Sequence, residues 1–309
     1  MSEVAVIILS WNTRALLAEC LGAVYASQTP PEFFDVWVVD NGSSDGSPEL
    51  VRQHFPQAHL IANTDNRGFA GANNQALAQV TAPYALLLNS DAMLPPAALA
   101  ELASCLEQRP QAGAVGPLYV RGDGSFQASF ADFPSLGTEL LVVAGLAERL
   151  VRPTFPSHSP AESQTARVVD WIPGACLLVR TAAVKQVGLL DEGYFFYSEE
   201  VDWCYRLARA GWQVWFWPSV VVTHYVGQSA RRASEASLRH LYRGKVRFFA
   251  KHYGPLSATA LKGWVLITLG IRAGLAFVQA LWRGGPRASW QMYLTLAAKL
   301  IHEPTFRPA

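Results

Sequence analysis

The chain opens on a continuous apolar run, residues 4–9, not on an alternating one. A strand covered by helices on both faces reads this way, because neither face meets water. Strand character returns at 34–39, at 59–62 and, as a second continuous apolar run, at 84–88, and segments of helical composition separate the strands, at 15–27, 47–55, 68–80 and 95–108. Asn12 or Thr13 is placed to cap the first of these helices, and Ser47-Pro48 offers an N-cap with proline at the first helical position. Strands alternating with helices predict βαβ units and a mostly parallel sheet, an α/β fold. Residues 112–118 continue the sheet and 170–180 resume strand character. Residues 200–210 read as a helix ended by Gly211; 213–217 and 220–223 are two more β-like runs, the second ending at His224. The intervening 119–167 is rich in Gly, Pro and Ser and predicts loops with one helix near 138–150.

Beyond residue 230 the pattern changes. Arg239, Arg243, Arg247 and Lys251 recur every four residues, a basic ridge on one helix face. Residues 264–282 are almost wholly apolar; Thr268, Arg272 and Gln279 fall with Arg283 on one stripe. The length is about that of a membrane span, but a central Arg272 is costly there. The pattern predicts a helix lying in the membrane interface, anchored by Trp264 and Trp282, with the basic ridge meeting anionic headgroups. Burial against the body or in a homodimer is the competing reading.

Charge sharpens this division. The formal net charge of the 309 residues is +1, yet residues 1–230 hold 12 Lys+Arg against 22 Asp+Glu, and residues 231–309 hold 13 against 2. An acidic body with a basic tail follows. The acidic body would repel a polyanion, so nucleic acid is not an expected partner. Half the residues are hydrophobic, which supplies a full core and excludes a disordered chain. Cys20, Cys105, Cys176 and Cys204 lie far apart with no metal-ligand spacing, as expected of buried, reduced thiols in a cytoplasmic protein. The run at 4–9 is too short, and lacks the basic flank, to be a signal peptide.

Three polar loops follow predicted strands. In open α/β sheets the carboxyl edge is where ligands bind. The first loop is Asp40-Asn-Gly-Ser-Ser-Asp-Gly-Ser47, whose leading carboxylate is suited to accept the N–H of a nucleobase. The second runs from Asp65 to Asn74, where Gly68 and Gly71 permit close backbone approach at a helix start and Arg67 is available to a phosphate, to Asp40 or to Asp91. The third is Asn89-Ser90-Asp91; hard cations take oxygen ligands and share them with phosphates, so Asp91 is a candidate metal ligand. Neither a GxGxxG nor a Walker A pattern occurs, which removes the main support for dinucleotide and P-loop readings. A further acidic cluster, Glu199-Glu200-Val201-Asp202, offers carboxylates for proton transfer.

The order of Val6-Ile-Ile-Leu-Ser-Trp-Asn12, Val38-Val-Asp-Asn-Gly-Ser-Ser-Asp-Gly46, Asn66-Arg-Gly-Phe-Ala-Gly-Ala-Asn-Asn74 and Leu87-Leu-Asn-Ser-Asp91 resembles family 2 inverting glycosyltransferases with the GT-A fold. The resemblance is strongest to their rhamnosyltransferase-like branch. The segment 191–206 resembles that branch's acceptor-side motif, and the likeness runs over about residues 4–252. It implies a GT-A (Rossmann-like) mixed, mostly parallel sheet over 1–230, with a nucleotide-sugar half (1–118) and an acceptor half (119–230), and a helical extension over 231–309. It implies Mg²⁺ or Mn²⁺ on Asp91, with His224 as a further metal ligand, and Asp40 on the nucleobase. Ser10, Asn12, Asn41, Asn66, Arg67, Gly68, Asn73, Asn89 and Ser90 would line the donor site. Glu200 stands where the family has its catalytic Asp; the longer side chain leaves Glu199 and Asp202 open as the base. Trp171, Tyr194, Phe195 and Trp203 are candidates to stack on sugar faces, and Arg231 and Arg232 to close over the diphosphate.

The implied reaction moves a sugar, L-rhamnose from dTDP-L-rhamnose by preference, to a hydroxyl of a glycan or polyprenyl-linked acceptor in cell-surface polysaccharide synthesis. The enzyme would sit at the inner face of the cytoplasmic membrane. A UDP- or GDP-sugar donor is the alternative within the same fold. A sugar-nucleotide pyrophosphorylase would need a Gly-rich N-terminal loop with a catalytic Arg or Lys, and residues 4–12 hold neither. A non-catalytic sugar-nucleotide-binding protein would not require the acidic cluster beside a metal Asp.

Overall fold

The computed structural model describes residues 2–152, 154–225, 235–283 and 288–303. The chain divides into two compact units. The first comprises residues 1–133, 157–195 and 199–230, the second 134–156, 196–198 and 231–309.

The first unit is built on one sheet with the strand order β3-β2-β1-β4-β9-β6-β10-β5. Its strands are β1 (Val4–Ser10), β2 (Phe34–Asp40), β3 (His59–Ala62), β4 (Tyr84–Asn89), β5 (Ala92–Met93), β6 (Ala112–Val120), β7 (Phe126–Gln127), β8 (Arg167–Val169), β9 (Cys176–Arg180) and β10 (Gln213–His224). β3, β2, β1 and β4 are mutually parallel, as the apolar runs predict. Val4, Ala5, Val6, Ile7 and Ile8 are fully buried, so β1 is covered on both faces. Among its described residues this unit holds the α-helices α1 (Arg14–Tyr25), α2 (Ser47–His54), α3 (Gly68–Leu77), α4 (Ala98–Glu107), and, later in the chain, α7 (Thr181–Val187) and α8 (Glu199–Arg209).

The mixed half departs from the sequence reading. β6 joins the sheet through the antiparallel β9, not beside β4. The stretch 170–180 is strand only from Cys176; β8 ends at Val169. The two β-like runs 213–217 and 220–223 are one strand, β10, parallel to β6 and irregular between Trp217 and Val221. Pro218, which cannot donate a ladder hydrogen bond, sits inside that irregularity. Gly46, in the left-handed region at φ 81°, is the N-cap of α2, so Ser47 is already helical; its N–H and hydroxyl both donate to Asp45.

The second unit holds α5 (Leu136–Ala144), α6 (Ala147–Leu150), α9 (Glu235–His252), α10 (Pro255–Arg283) and α11 (Ala288–His302). The single helix predicted near 138–150 is two, because Gly145 takes φ 73° and closes α5. Arg272 Nη2 donates to Val143 O (2.8 Å) in the last turn of α5, where a cation meets the negative end of the helix dipole. Trp264 Nε1 donates to Leu140 O, and Thr268 is buried. Thr268 and Arg272 of the predicted polar stripe therefore face the interior of this unit, where the Trp264 anchor is also engaged, whereas Gln279 of the same stripe is exposed. The large apolar positions Ile267, Ile271, Leu275, Val278, Leu281 and Trp282 are all at least half exposed. By length and composition this helix is long and apolar enough to cross a membrane. Of the basic ridge, Arg239 pairs with Glu303 within the unit.

Candidate active site

The parallel register sets Ser10 opposite Asp40, and Leu9 opposite Asn89, at the carboxyl edge of the sheet. Polar side chains that would be costly inside the sheet collect here. Ser10, Thr13 and Ser90 form a hydroxyl chain, with Ser10 Oγ to Thr13 Oγ1 at 3.0 Å and Thr13 Oγ1 to Ser90 Oγ at 2.7 Å. Thr13 stands at the N-cap of α1 but spends its hydroxyl on this chain, not on the helix. That link was not legible in the sequence, where Thr13 read only as a cap.

Asp40 is buried; its Oδ2 accepts the Ser43 N–H (2.9 Å), and its Oδ1 has no partner among the described residues. Asn12, at φ 53°, holds the same loop from the other side: its Oδ1 accepts the Ser44 N–H (2.8 Å), and its N–H donates to Ser43 Oγ. Asn41 organises the second loop. Its Nδ2 donates to Asn66 Oδ1 and Gly68 O, and its Oδ1 accepts the Arg67 N–H. Asn66 Oδ1 in turn accepts the Gly68 N–H. Among the described residues the ion-pair partner of Arg67 is Asp65, at 3.8 Å, and not Asp40 or Asp91. Asn73 is turned into the interior, where its Nδ2 donates to Phe69 O one turn back.

Gly68 joins the donor-side loops to the segment 190–195. It sits at φ 73°, and a Cβ there would lie 2.3 Å from Phe195 O. The Phe69 N–H donates to that same carbonyl at 2.8 Å. Asn74 reinforces the junction, donating to Leu190 O and Glu192 and accepting the Leu190 N–H.

Asp91 is buried at the edge, and His224 Nε2 lies 3.3 Å from its Oδ1. Topology brings the two together: β5 starts one residue after Asp91 and pairs antiparallel with the end of β10, opposing Ala92 to His224. The Tyr225 N–H donates to Asp91 O and extends that pairing. Gln127, on the two-residue strand β7, places its Nε2 3.0 Å from His224 Nδ1. The loop-rich region around Gln127 carried no signal that would have singled it out.

The acidic cluster opens α8. Glu199 is buried, and burial first, then the neighbouring Glu200, holds its carboxyl well above the usual carboxylate range. Asp202 is fully buried and bonded to Arg206 Nε at 2.8 Å, which commits it to the interior. Glu200 stands beside the strand end: a Cβ on Gly174 would lie 3.8 Å from Glu200 Cβ, and the next carbonyl, Ala175 O, accepts the Asn89 N–H. Tyr119 completes the bridge, with its ring 5.9 Å from that of His224 and its phenol, raised chiefly by burial, within the field of Glu200. Asp91, His224, Tyr119 and Glu200 thus share one edge of one sheet.

Of the four candidate stacking aromatics, Tyr194 and Trp203 are core residues, Trp203 donating to Gly188 O; Trp171 donates to Asp132 O, and Phe195 is exposed. All four cysteines are buried free thiols, and burial pushes Cys204 up to about 12. Arg231 and Arg232 lie outside the described residues. Among the described residues no group of three or more His, Cys, Asp or Glu is arranged to hold a metal by protein groups alone.

Comparison with known proteins shows the family. The family model for glycosyl transferase family 2 matches residues 5–183. The N-acetylglucosaminyl-diphospho-decaprenol L-rhamnosyltransferase of Mycobacterium tuberculosis is 30% identical over 270 residues, 82% of this chain and 86% of its own. The low-salt glycan biosynthesis hexosyltransferase Agl10 of Haloferax volcanii is 26% identical over 176 residues, 56% of this chain and 52% of its own. Among solved structures, mannosyltransferase PcManGT of Pyrobaculum calidifontis, in complex with GDP-Man and Mn²⁺, matches 97% of this chain and 85% of its own at a TM-score of 0.57 and 22% identity. The chain belongs to glycosyl transferase family 2, in its rhamnosyltransferase-like branch, and is a glycosyltransferase built on the GT-A fold.

Proposed function

We propose that the enzyme transfers L-rhamnose from dTDP-L-rhamnose, with inversion and with the aid of a divalent cation, to a hydroxyl of a lipid-linked glycan destined for the cell surface. The observation that carries the reading is the buried Asp91–His224 pair set on the same sheet edge as Glu200. The sugar and the lipid-linked acceptor rest on the Mycobacterium tuberculosis relative, whose name specifies both.

The donor set suits Mn²⁺ or Mg²⁺. Asp91 supplies a hard oxygen and His224 an imidazole nitrogen, and phosphate oxygens of the substrate would complete the shell that two side chains leave open. PcManGT, of the same fold, holds Mn²⁺ with its GDP-sugar. When bound, the cation would act as a Lewis acid that offsets charge on the departing diphosphate. In this reading Asp40 Oδ1, buried without a partner, receives the N–H of the nucleobase, and burying an unmet acceptor is otherwise costly. Ser10, Thr13 and Ser90 brace the floor of the donor site, and Asn41 fixes the Asn66–Gly68 backbone against it.

Glu200 is the general base: it takes the proton of the acceptor hydroxyl as that oxygen attacks the anomeric carbon. Burial first, then the neighbouring Glu200, holds the Glu199 carboxyl well above the usual carboxylate range, so the base role falls to Glu200. Asp202 holds Arg206 and is not the base. An in-line displacement needs no enzyme nucleophile. Purified protein with dTDP-rhamnose, Mn²⁺ and a short polyprenyl-diphospho-GlcNAc analogue should yield a rhamnoside of inverted anomeric configuration by NMR. Turnover with GDP- or UDP-sugars and none with dTDP-rhamnose would overturn the donor assignment.

The second unit supports a peripheral attachment at the cytoplasmic face of the membrane. Its α10 presents the apolar face outward, and residues 231–309 carry a balance of 13 basic to 2 acidic residues, the two acids being paired internally with Lys299 and Arg239. An apolar face on a basic body matches an anionic bilayer.

A further inference from the structure

The carboxamide of Gln127 ends on His224, the histidine beside Asp91. β7 is only two residues long and is held in register on β6 by Tyr119 opposite Gln127. Ser129 strengthens that hold: its hydroxyl accepts the Tyr119 N–H and donates to Gln127 O. The side chain thus arrives on a braced strand, with Nε2 3.0 Å from His224 Nδ1 and Oε1 buried without a partner among the described residues.

The chemistry of this contact is restrictive. With the carboxamide placed this way the amide nitrogen can only donate, so His224 Nδ1 would accept and the ring proton would lie on Nε2, 3.3 Å from Asp91 Oδ1. In that tautomer Nε2 has no lone pair for a cation. Ligation through Nε2 requires the proton on Nδ1, and an Nδ1–H requires an acceptor beside it. A half-turn of the Gln127 carboxamide brings Oε1 to that place, while one proton leaves Nε2 to solvent and one from solvent joins Nδ1, with no net change in charge.

We infer that Gln127 is the positioning residue of the metal site, a two-way partner whose carboxamide selects the His224 tautomer. With Nε2 inward it latches His224 to Asp91; with Oε1 inward it frees Nε2 for the cation. A hydroxyl could also serve both roles, but a carboxamide does so from one rigid plane. The inference rests on the reading of Asp91 and His224 as metal ligands.

The test titrates Mn²⁺ into full-length, metal-free protein by EPR, with dTDP present, for wild type, Gln127→Met, Gln127→Glu, His224→Ala, Asp91→Ala and the double variant Gln127→Met/His224→Ala. Gln127→Met, of similar shape and without a hydrogen-bonding amide, should weaken Mn²⁺ binding about 10- to 100-fold, the usual cost of losing a partner behind a ligating histidine. Gln127→Glu, an acceptor, should retain the affinity. The double variant should bind no more weakly than His224→Ala alone, an outcome that general damage to the site would not give. ¹⁵N NMR of the metal-free wild type should show His224 protonated on Nε2, and of Gln127→Glu on Nδ1. Wild-type affinity in Gln127→Met, with binding lost in Asp91→Ala and His224→Ala, overturns the role of Gln127 alone. Binding unaffected by Asp91→Ala and His224→Ala overturns the metal site, and this inference with it.

Discussion

Asp202→Asn separates a structural carboxylate from a catalytic one. Asp202 is fully buried, and its Oδ2 accepts from Arg206 Nε at 2.8 Å, one turn along α8. The same guanidinium donates to Val187 O at 2.6 Å, Gly188 O at 3.2 Å and Leu189 O at 2.8 Å, so it clamps the end of α7 to α8. Breaking a buried ion pair by removing one partner costs about 3–5 kcal/mol, because a charge is left uncompensated. Here Arg206 keeps three carbonyl partners and its side chain is 18% exposed, and asparagine still offers an acceptor, so the expected loss falls to about 2–3 kcal/mol. With a urea dependence of about 2–3 kcal/mol per molar, the unfolding midpoint followed by circular dichroism should drop by roughly 1 M. Below that midpoint kcat should stay within about threefold of wild type, since general-base loss costs about 10²–10⁴-fold and Asp202 is not asked to supply it. An Asp202→Asn protein with an unchanged midpoint and turnover reduced a thousandfold would refute the argument and make Asp202 the base.

Glu200→Gln should lower turnover by about 10²–10⁴-fold while calorimetry finds donor binding intact; loss of donor binding would contradict its role as base. Glu199 has a folded-state pKa raised above its unfolded value, so the folded state binds the extra proton and stability falls as pH rises from the ordinary carboxylate range through that raised pKa. Glu199→Gln should therefore flatten this decline and melt higher than wild type at pH 8; an identical pH profile would exclude the shift. Gly68→Ala should cost about 1–2 kcal/mol for the left-handed backbone alone, and displacing Phe195 O should cut kcat/KM further; wild-type kinetics would mean the junction is not as close as 2.3 Å implies. Replacing Ile271 and Leu275 by Glu should abolish sedimentation with anionic liposomes while leaving transfer to a soluble acceptor unchanged, and undiminished sedimentation would remove the outward face of α10 as the lipid contact.

The sequence by itself determined the parallel half of the sheet. The continuous apolar runs at β1 and β4 can only be buried on both faces, and the polar residues that end these strands and β2, namely Ser10, Asn89 and Asp40, must then emerge at one edge. It also determined where acidic chemistry resides and that a basic, apolar segment follows residue 230. Tertiary structure alone decided what those residues face. His224 meets Asp91 because a two-residue strand pairs with the end of β10, a contact spanning more than a hundred positions that no local period encodes. The three carboxylates of 199–202 look equivalent in sequence, and only packing divides them: Asp202 to Arg206, Glu199 into a buried site that raises its pKa, Glu200 against Gly174. The stripe of α10 was legible as a stripe, but its direction was not. A helical period marks two faces without saying which one is inside, and the α5 carbonyl that receives Arg272 lies 129 residues away.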